Sequence, residues 1–133
     1  MKSVLIVEDD EHVSRALRVR LQAQGFRVTV AFDAVEAMRS ATEACPDVIV
    51  LDIHLPGGNG LMVAERLLGE PATTDLPVVF ITASDQARLR ERAAELSAVA
   101  FLVKPFEASE LLDAIELATL RGQPPSVAGV RAA

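Results

Sequence analysis

Apolar and polar positions alternate between two periods along the chain. Val4-Leu5-Ile6-Val7 is a short, wholly apolar, β-branched run, the pattern of a strand buried on both faces. The next period is helical, with Val13, Leu17 and Leu21 at i+4 spacing, Ala16 beside them, and Gly25 as the C-terminal stop. Arg27-Val28-Thr29-Val30-Ala31 alternates and predicts a second, less buried strand. Asp33-Ala34-Val35-Glu36 has capping-box spacing with Asp as the cap, and the helix behind it is expected to bury Ala34, Ala37, Met38 and Ala41. Pro46-Asp47 turns into Val48-Ile49-Val50-Leu51, an apolar run that ends on the carboxylate of Asp52.

Gly57-Gly58-Asn59-Gly60 reads as a loop, and Leu61, Ala64, Leu67 and Leu68 as the stripe of a third helix. A connection over 71–77 leads to the strand Val78-Val79-Phe80-Ile81, which ends on Thr82-Ala83-Ser84. Residues 85–97 carry Arg88, Arg90, Glu91, Arg92 and Glu95 with few large apolar groups, so the fourth helix should be thinly buried. Phe101-Leu102-Val103 is the fifth strand and ends on Lys104-Pro105-Phe106, and Leu111, Leu112, Ile115 and Ala118 mark the last helix.

Five strands alternating with five helices, each crossover long enough for a βαβ unit, predict an α/β domain with a parallel sheet covered on both faces. That domain takes residues 1–120. Residues 121–133 are expected to be a flexible tail, with no output domain. No run approaches the ~18 apolar residues of a membrane helix and the N-terminus has no secretory pattern, which points to the cytoplasm. The net charge of −6, without a Lys/Arg cluster, argues against direct nucleic-acid binding. Cys45, the only cysteine, excludes an intrachain disulfide and a cysteine metal site, and its expected role is structural or incidental.

In a parallel sheet all C-terminal strand ends share one edge, where ligands bind at the point of reversed strand order. The first strand delivers Glu8, Asp9 and Asp10 to that edge, the third Asp52, the fourth Thr82 and the fifth Lys104. The second delivers nothing comparable, as expected of a strand at the side of the sheet. Crowded carboxylates repel unless a cation neutralises them, and a hard divalent ion such as Mg2+ (or Mn2+) does so while keeping room for a phosphate. A carboxylate beside that ion and Lys104 can attack phosphorus as a nucleophile, with Thr82 and Lys104 donating to the phosphoryl oxygens.

These residues resemble the receiver domain of two-component response regulators, over residues 2 to about 120. The marks are Val4-Leu5-Ile6-Val7-Glu8-Asp9, Leu51-Asp52-Ile53-His54-Leu55-Pro56 with Gly60 following, Val79-Phe80-Ile81-Thr82-Ala83, and Val103-Lys104-Pro105-Phe106. The resemblance implies a flavodoxin-like, doubly wound five-stranded sheet in order 2-1-3-4-5, and a histidine kinase or histidine phosphotransfer protein as donor. It implies Asp52 as phosphoacceptor and Mg2+ held by Asp9, Asp52 and the backbone carbonyl of His54, with Glu8 acting directly or through water. Asp10 makes the register of the acidic pair arguable; Glu8 and Asp9 are preferred because they follow the strand directly, leaving Asp10 to start the helix. The resemblance further implies a cis Lys104-Pro105 bond.

By the same resemblance, Thr82 follows the phosphoryl group inward and the aromatic residue of the fifth strand, here Phe101, turns inward after it. A plain core role for Phe101 weighs equally, because Phe lacks the hydroxyl that lets Tyr report two states. His54 and Ser84 flank the path of the hydrolytic water in the family; a solvent-facing His54 without such a role is the alternative. No Gly precedes the fifth strand, where the family often has one. The output would be altered binding of a downstream protein through the fourth helix, fifth strand and fifth helix, a face through which family members commonly pair. The expected activity is regulatory, limited to self-phosphorylation and self-dephosphorylation. Against a phosphatase acting on external substrates, His54 stands where an Asp-x-Asp pattern needs its second carboxylate, and no insertion could form a substrate cap. An unphosphorylated interaction module is the third reading.

Overall fold

Apolar strand residues collapse into a central sheet because their alternate side chains need cover on both faces. In the computed structural model, which describes residues 1–121, that sheet is parallel and holds β1 (Ser3–Val7), β2 (Arg27–Ala31), β3 (Val48–Asp52), β6 (Val78–Thr82) and β7 (Ala100–Val103) in the order β2-β1-β3-β6-β7. A small antiparallel pair, β4 (His54–Leu55) and β5 (Gly58–Asn59), stands apart from it. The helices are α1 (Glu11–Ala23), α2 (Ala34–Ala44), α3 (Gly60–Gly69), α4 (Ala87–Glu95) and α5 (Ala108–Arg121). This is the doubly wound, flavodoxin-like arrangement, and the fifth strand of the sequence reading is β7. The expected tail, apart from the backbone of Arg121 that ends α5, lies outside the described residues.

The period of two separates two cores. Leu5, Val7, Ile49, Leu51 and Phe80 face a cluster with Ala37 of α2, Val63 and Leu67 of α3 and Ala93 of α4. Val4, Ile6, Val48, Val50, Val79 and Ile81 face Leu17 and Leu21 of α1 and Leu111, Ile115 and Ala118 of α5. At β2 the burial is only partial apart from Ala31, as its position at the side of the sheet requires.

Local chemistry sets the helix ends. The carboxylate of Asp10 accepts the N–H groups of His12 and Val13 and starts α1; Gly25, at φ +91°, follows its end. Asp33 caps α2 by accepting from Glu36 N–H, while Glu36 Oε1 reaches back to Phe32 N–H, one residue earlier than a capping box requires. Cys45 ends α2 at φ +46°, exposed, with its thiol toward the Thr42 carbonyl. The Lys104-Pro105 bond is cis.

Three details differ from the sequence reading. In α1 the buried stripe is Ser14, Leu17 and Leu21 while Ala16 is exposed, because the helix turns its i, i+3, i+7 row inward; the Ser14 hydroxyl is satisfied by the Glu11 carbonyl. In α3 Val63 takes the inward place and Leu68 faces solvent. The Gly-rich segment is not plain loop: Gly58 and Asn59 pair with Leu55 and His54, and Asn59 then caps α3 by accepting from Met62 N–H.

Candidate functional site

Strand pairing carries four polar residues to one edge. Glu8 extends β1 through its N–H to the Ala31 carbonyl at 3.1 Å, and Asp52 is the last residue of β3. Thr82 closes β6 and stands beside Val103 in register, so Lys104 emerges next to it, with Lys104 N–H to Thr82 O at 2.7 Å. Order reverses between β1 and β3, which places Glu8 and Asp52 on either side of the switch point.

The side chains converge there. Lys104 Nζ donates to Glu8 Oε1 at 2.5 Å and to Asp52 Oδ2 at 2.9 Å, bridging two carboxylates that are otherwise buried, at 1% and 4% exposure. Asp52 Oδ1 accepts from His54 N–H at 3.0 Å, and Glu8 Oε2 from Asp10 N–H at 3.1 Å. Asp9 is exposed, yet one carboxylate oxygen from each of Glu8, Asp9 and Asp52 lies within 4.8 Å of the others. The three residues thus make a shallow cluster with an open side at Asp9. Asp10 instead caps α1, and the acidic neighbours of Asp52 are Glu8 and Asp9.

Burial pushes the Glu8 carboxyl above its ordinary value and the Asp52 charge adds to this, against the opposing pull of Lys104 and of the Asp10 N–H. For Lys104, burial works to lower the ammonium, but the hydrogen bonds and charges of Glu8 and Asp52 outweigh it and hold it above the usual lysine value. Lys104 is therefore a firmly charged cation between two acids. The donor set is carboxylate oxygen throughout, with no sulfur or imidazole nitrogen, and Asp9 leaves one side open to water. A hard divalent ion of the Mg2+ type fits that chemistry.

The other singled-out residues are near but not all in the cluster. Thr82 is fully buried and its Oγ1 accepts from Ser84 N–H at 3.1 Å, leaving its own hydrogen to donate. His54 contributes its backbone N–H to Asp52 while its imidazole faces solvent. Phe101, in the middle of β7, is half-buried against the core of Leu5 and Phe80. Two residues carry more than sequence reasoning assigned them. Gly60 donates to the Ile53 carbonyl at 2.7 Å, and a Cβ there would lie 2.2 Å from the Asp52 carbonyl oxygen, so only Gly lets α3 start against the end of β3. Its signal was a Gly immediately after a helix cap. Arg90, counted only as one charge in a run, sits 4.7 Å over the Phe101 ring; nothing in the sequence pairs them.

A three-layered, doubly wound domain with carboxylates and a lysine gathered at its switch point is a class with many uses. The comparison with known proteins narrows it: the response regulator receiver domain model matches residues 4–116, and the chain belongs to that family. It is 34% identical over 124 residues to the phosphate regulon transcriptional regulatory protein PhoB of Rhizobium meliloti, covering 93% of this chain and 55% of that protein. It is 40% identical over 109 residues to the transcriptional regulatory protein PrrA of Mycobacterium leprae, covering 82% and 46%. The chain thus spans about half the length of the curated relatives it matches. Among solved structures, the non-phosphorylated HemR receiver domain of Leptospira biflexa superposes with a TM-score of 0.84 at 36% identity, covering 93% of this chain and 98% of that one. The BeF3-activated receiver domain of Klebsiella pneumoniae RstA gives 0.82 at 25% identity, covering 89% and 98%. Receiver domains are regulatory elements of two-component systems. Among the described residues no helix is long and apolar enough to cross a membrane.

Proposed function

We propose that Asp52 accepts a phosphoryl group from a histidine kinase or histidine phosphotransfer protein, and that its modification alters binding of a protein target through the α4-β7-α5 face. One observation carries this: a buried carboxylate held at one oxygen by Lys104 and at the other by His54 N–H, with Glu8 and Asp9 alongside. In the transfer a carboxylate oxygen of Asp52 forms a bond to phosphorus as the P–N bond of the donor phosphohistidine breaks, its electron pair returning to the imidazole. Glu8, Asp9, Asp52 and the backbone carbonyl of His54 would hold Mg2+ or Mn2+, which offsets the negative charge gathered between acceptor and phosphoryl group.

Lys104 carries its fixed positive charge to a phosphoryl oxygen, and the Thr82 hydroxyl donates its free hydrogen to another. The group adds close to two negative charges, and Thr82 moving toward it would vacate the space beside β6 into which Phe101 turns. His54 and Ser84 would flank the path of the hydrolytic water and so help set the lifetime of the phosphoryl group. The relatives named as transcriptional regulators suggest an output in gene control. This acidic domain would reach nucleic acid only through another protein or domain, and would pair with a second copy through the same face.

Incubation with Mg2+ and acetyl phosphate tests the reading. Stoichiometric label, stable in acid, labile in base and absent from Asp52→Asn, is the expected result. Continuous phosphate release without accumulated label would instead make the protein a phosphatase, and no label would make it an unphosphorylated interaction module.

A further inference from the structure

Helix α4 is held to the domain by little apolar surface. Only Ala93 within it is buried, with Leu96 at its end, and its first turn has no side-chain cap. Charged groups supply the rest. Arg92 pairs with Glu65 of α3 and with Glu95. Arg90 bonds Asp85 through Nε at 2.5 Å and lays its guanidinium over the Phe101 ring, 4.7 Å from the centroid.

Asp85 is not an incidental partner. It follows Ser84, whose N–H is held by Thr82 Oγ1 at 3.1 Å. The contacts Thr82–Ser84, Asp85–Arg90 and Arg90–Phe101 therefore join the polar edge of the sheet to the ring on β7 without a break. Phe101 has no hydroxyl with which to mark its position, so the cation on its π face is the specific polar contact that holds it.

We infer that Arg90 is a positioning residue that latches Phe101 in its half-buried place in the unmodified protein, anchored through Asp85 to the segment that moves with Thr82. The inference rests on the phosphoacceptor reading of Asp52 and adds to it the residue that transmits the signal. A change at Thr82 pulls Ser84 and Asp85, weakens the hold on Arg90 and frees the ring. Because coupling is reciprocal, loosening the latch must favour the phosphoryl-bound state.

Beryllofluoride with Mg2+, as a non-covalent phosphoryl mimic, reads this as a binding equilibrium followed by the Phe ring NMR resonances, which are few because the chain has 5 Phe and no Tyr or Trp. Arg90→Gln should shift the Phe101 ring resonances of the free protein toward their bound positions and raise the apparent affinity about two- to five-fold, the range of an exposed cation–π contact. Asp85→Asn should act in the same direction, the double variant should fall short of the product of the two, and Arg90→Lys should stay near wild type. Glu91→Gln, an exposed change on the same helix, should leave affinity unchanged. Wild-type affinity and an unmoved ring in Arg90→Gln overturn the latch, as does an Arg90→Lys indistinguishable from Arg90→Gln. Absence of any beryllofluoride binding to the wild type refutes the phosphoacceptor reading itself, and the latch with it.

Discussion

Two glycines at opposite ends of α3 should respond to the same substitution with opposite signs. At Gly60 a Cβ would meet the Asp52 carbonyl oxygen at 2.2 Å, the Asp52 carbonyl carbon at 3.0 Å and Ile53 Cα at 2.9 Å. All three are backbone atoms of the strand end that carries the acceptor, so no side chain can swing away. Relief requires α3 to retreat by nearly an ångström and stretches the 2.7 Å bond from Gly60 N–H to the Ile53 carbonyl. Overpacking of this kind costs about 1–3 kcal/mol, which for a domain of this size lowers Tm by roughly 3–12 °C. At Gly69 a Cβ meets nothing within 4 Å and φ is not positive, so Gly69→Ala should gain about 0.5–1 kcal/mol from helix propensity and the stiffer unfolded chain. Urea denaturation of the two variants beside the wild type measures both values. Phosphorylation of Gly60→Ala should also slow, because the displaced strand end carries Asp52 and the His54 N–H. A Gly60→Ala protein as stable and as readily phosphorylated as wild type would refute the steric account of how α3 seats the site.

Other predictions separate roles within the acidic segment. Asp10→Ala should cost about 0.5–2 kcal/mol through loss of the α1 cap yet retain Mg2+-dependent labelling, whereas Asp9→Ala should lose labelling with little change in the urea midpoint; the reverse pattern would transfer the ligand role to Asp10. Glu8 has a folded-state pKa above its ordinary 4.5, so the folded state binds this proton more tightly than the unfolded chain. That stabilisation is complete below the ordinary value and fades as pH rises through the folded one. In EDTA, Glu8→Gln should therefore gain stability relative to wild type as pH rises from about 4 to 7 in urea melts, while losing metal-dependent labelling; a constant difference across that range would contradict the burial of a charged Glu8. Phosphorylated His54→Ala should decay at a rate different from wild type in a simple hydrolysis time course, and equal rates would remove His54 from control of the lifetime.

What the sequence displayed follows from which interactions are periodic. β2 and β3 were legible to the residue, because Arg27–Ala31 alternates and Val48–Leu51 runs unbroken to a carboxylate. The convergence of Glu8, Asp9, Asp52, Thr82 and Lys104 followed from one topological fact, that parallel strands share an edge. Helix faces were less legible where small residues tie. Ser14 could replace Ala16 because its hydroxyl finds the Glu11 carbonyl, and Val63 displaced Leu68 because their two rows differ by little in hydrophobicity. The pairing of Gly58 with Leu55 lacks any hydrophobic signal and depends on positive φ at Gly57 and Gly58. The contact of Arg90 with Phe101 joins residues eleven apart in sequence across a helix–strand junction, where no local pattern applies.

The role of Asp52 is decided by where the phosphoryl group goes. After reaction with acetyl phosphate and Mg2+, borohydride reduces an aspartyl phosphate to homoserine, which peptide mass spectrometry locates to a single position. Homoserine at position 52, formed only when Mg2+ and phosphodonor are both present, is the predicted result. Homoserine at position 9 or 10, or none anywhere in the chain, would contradict it.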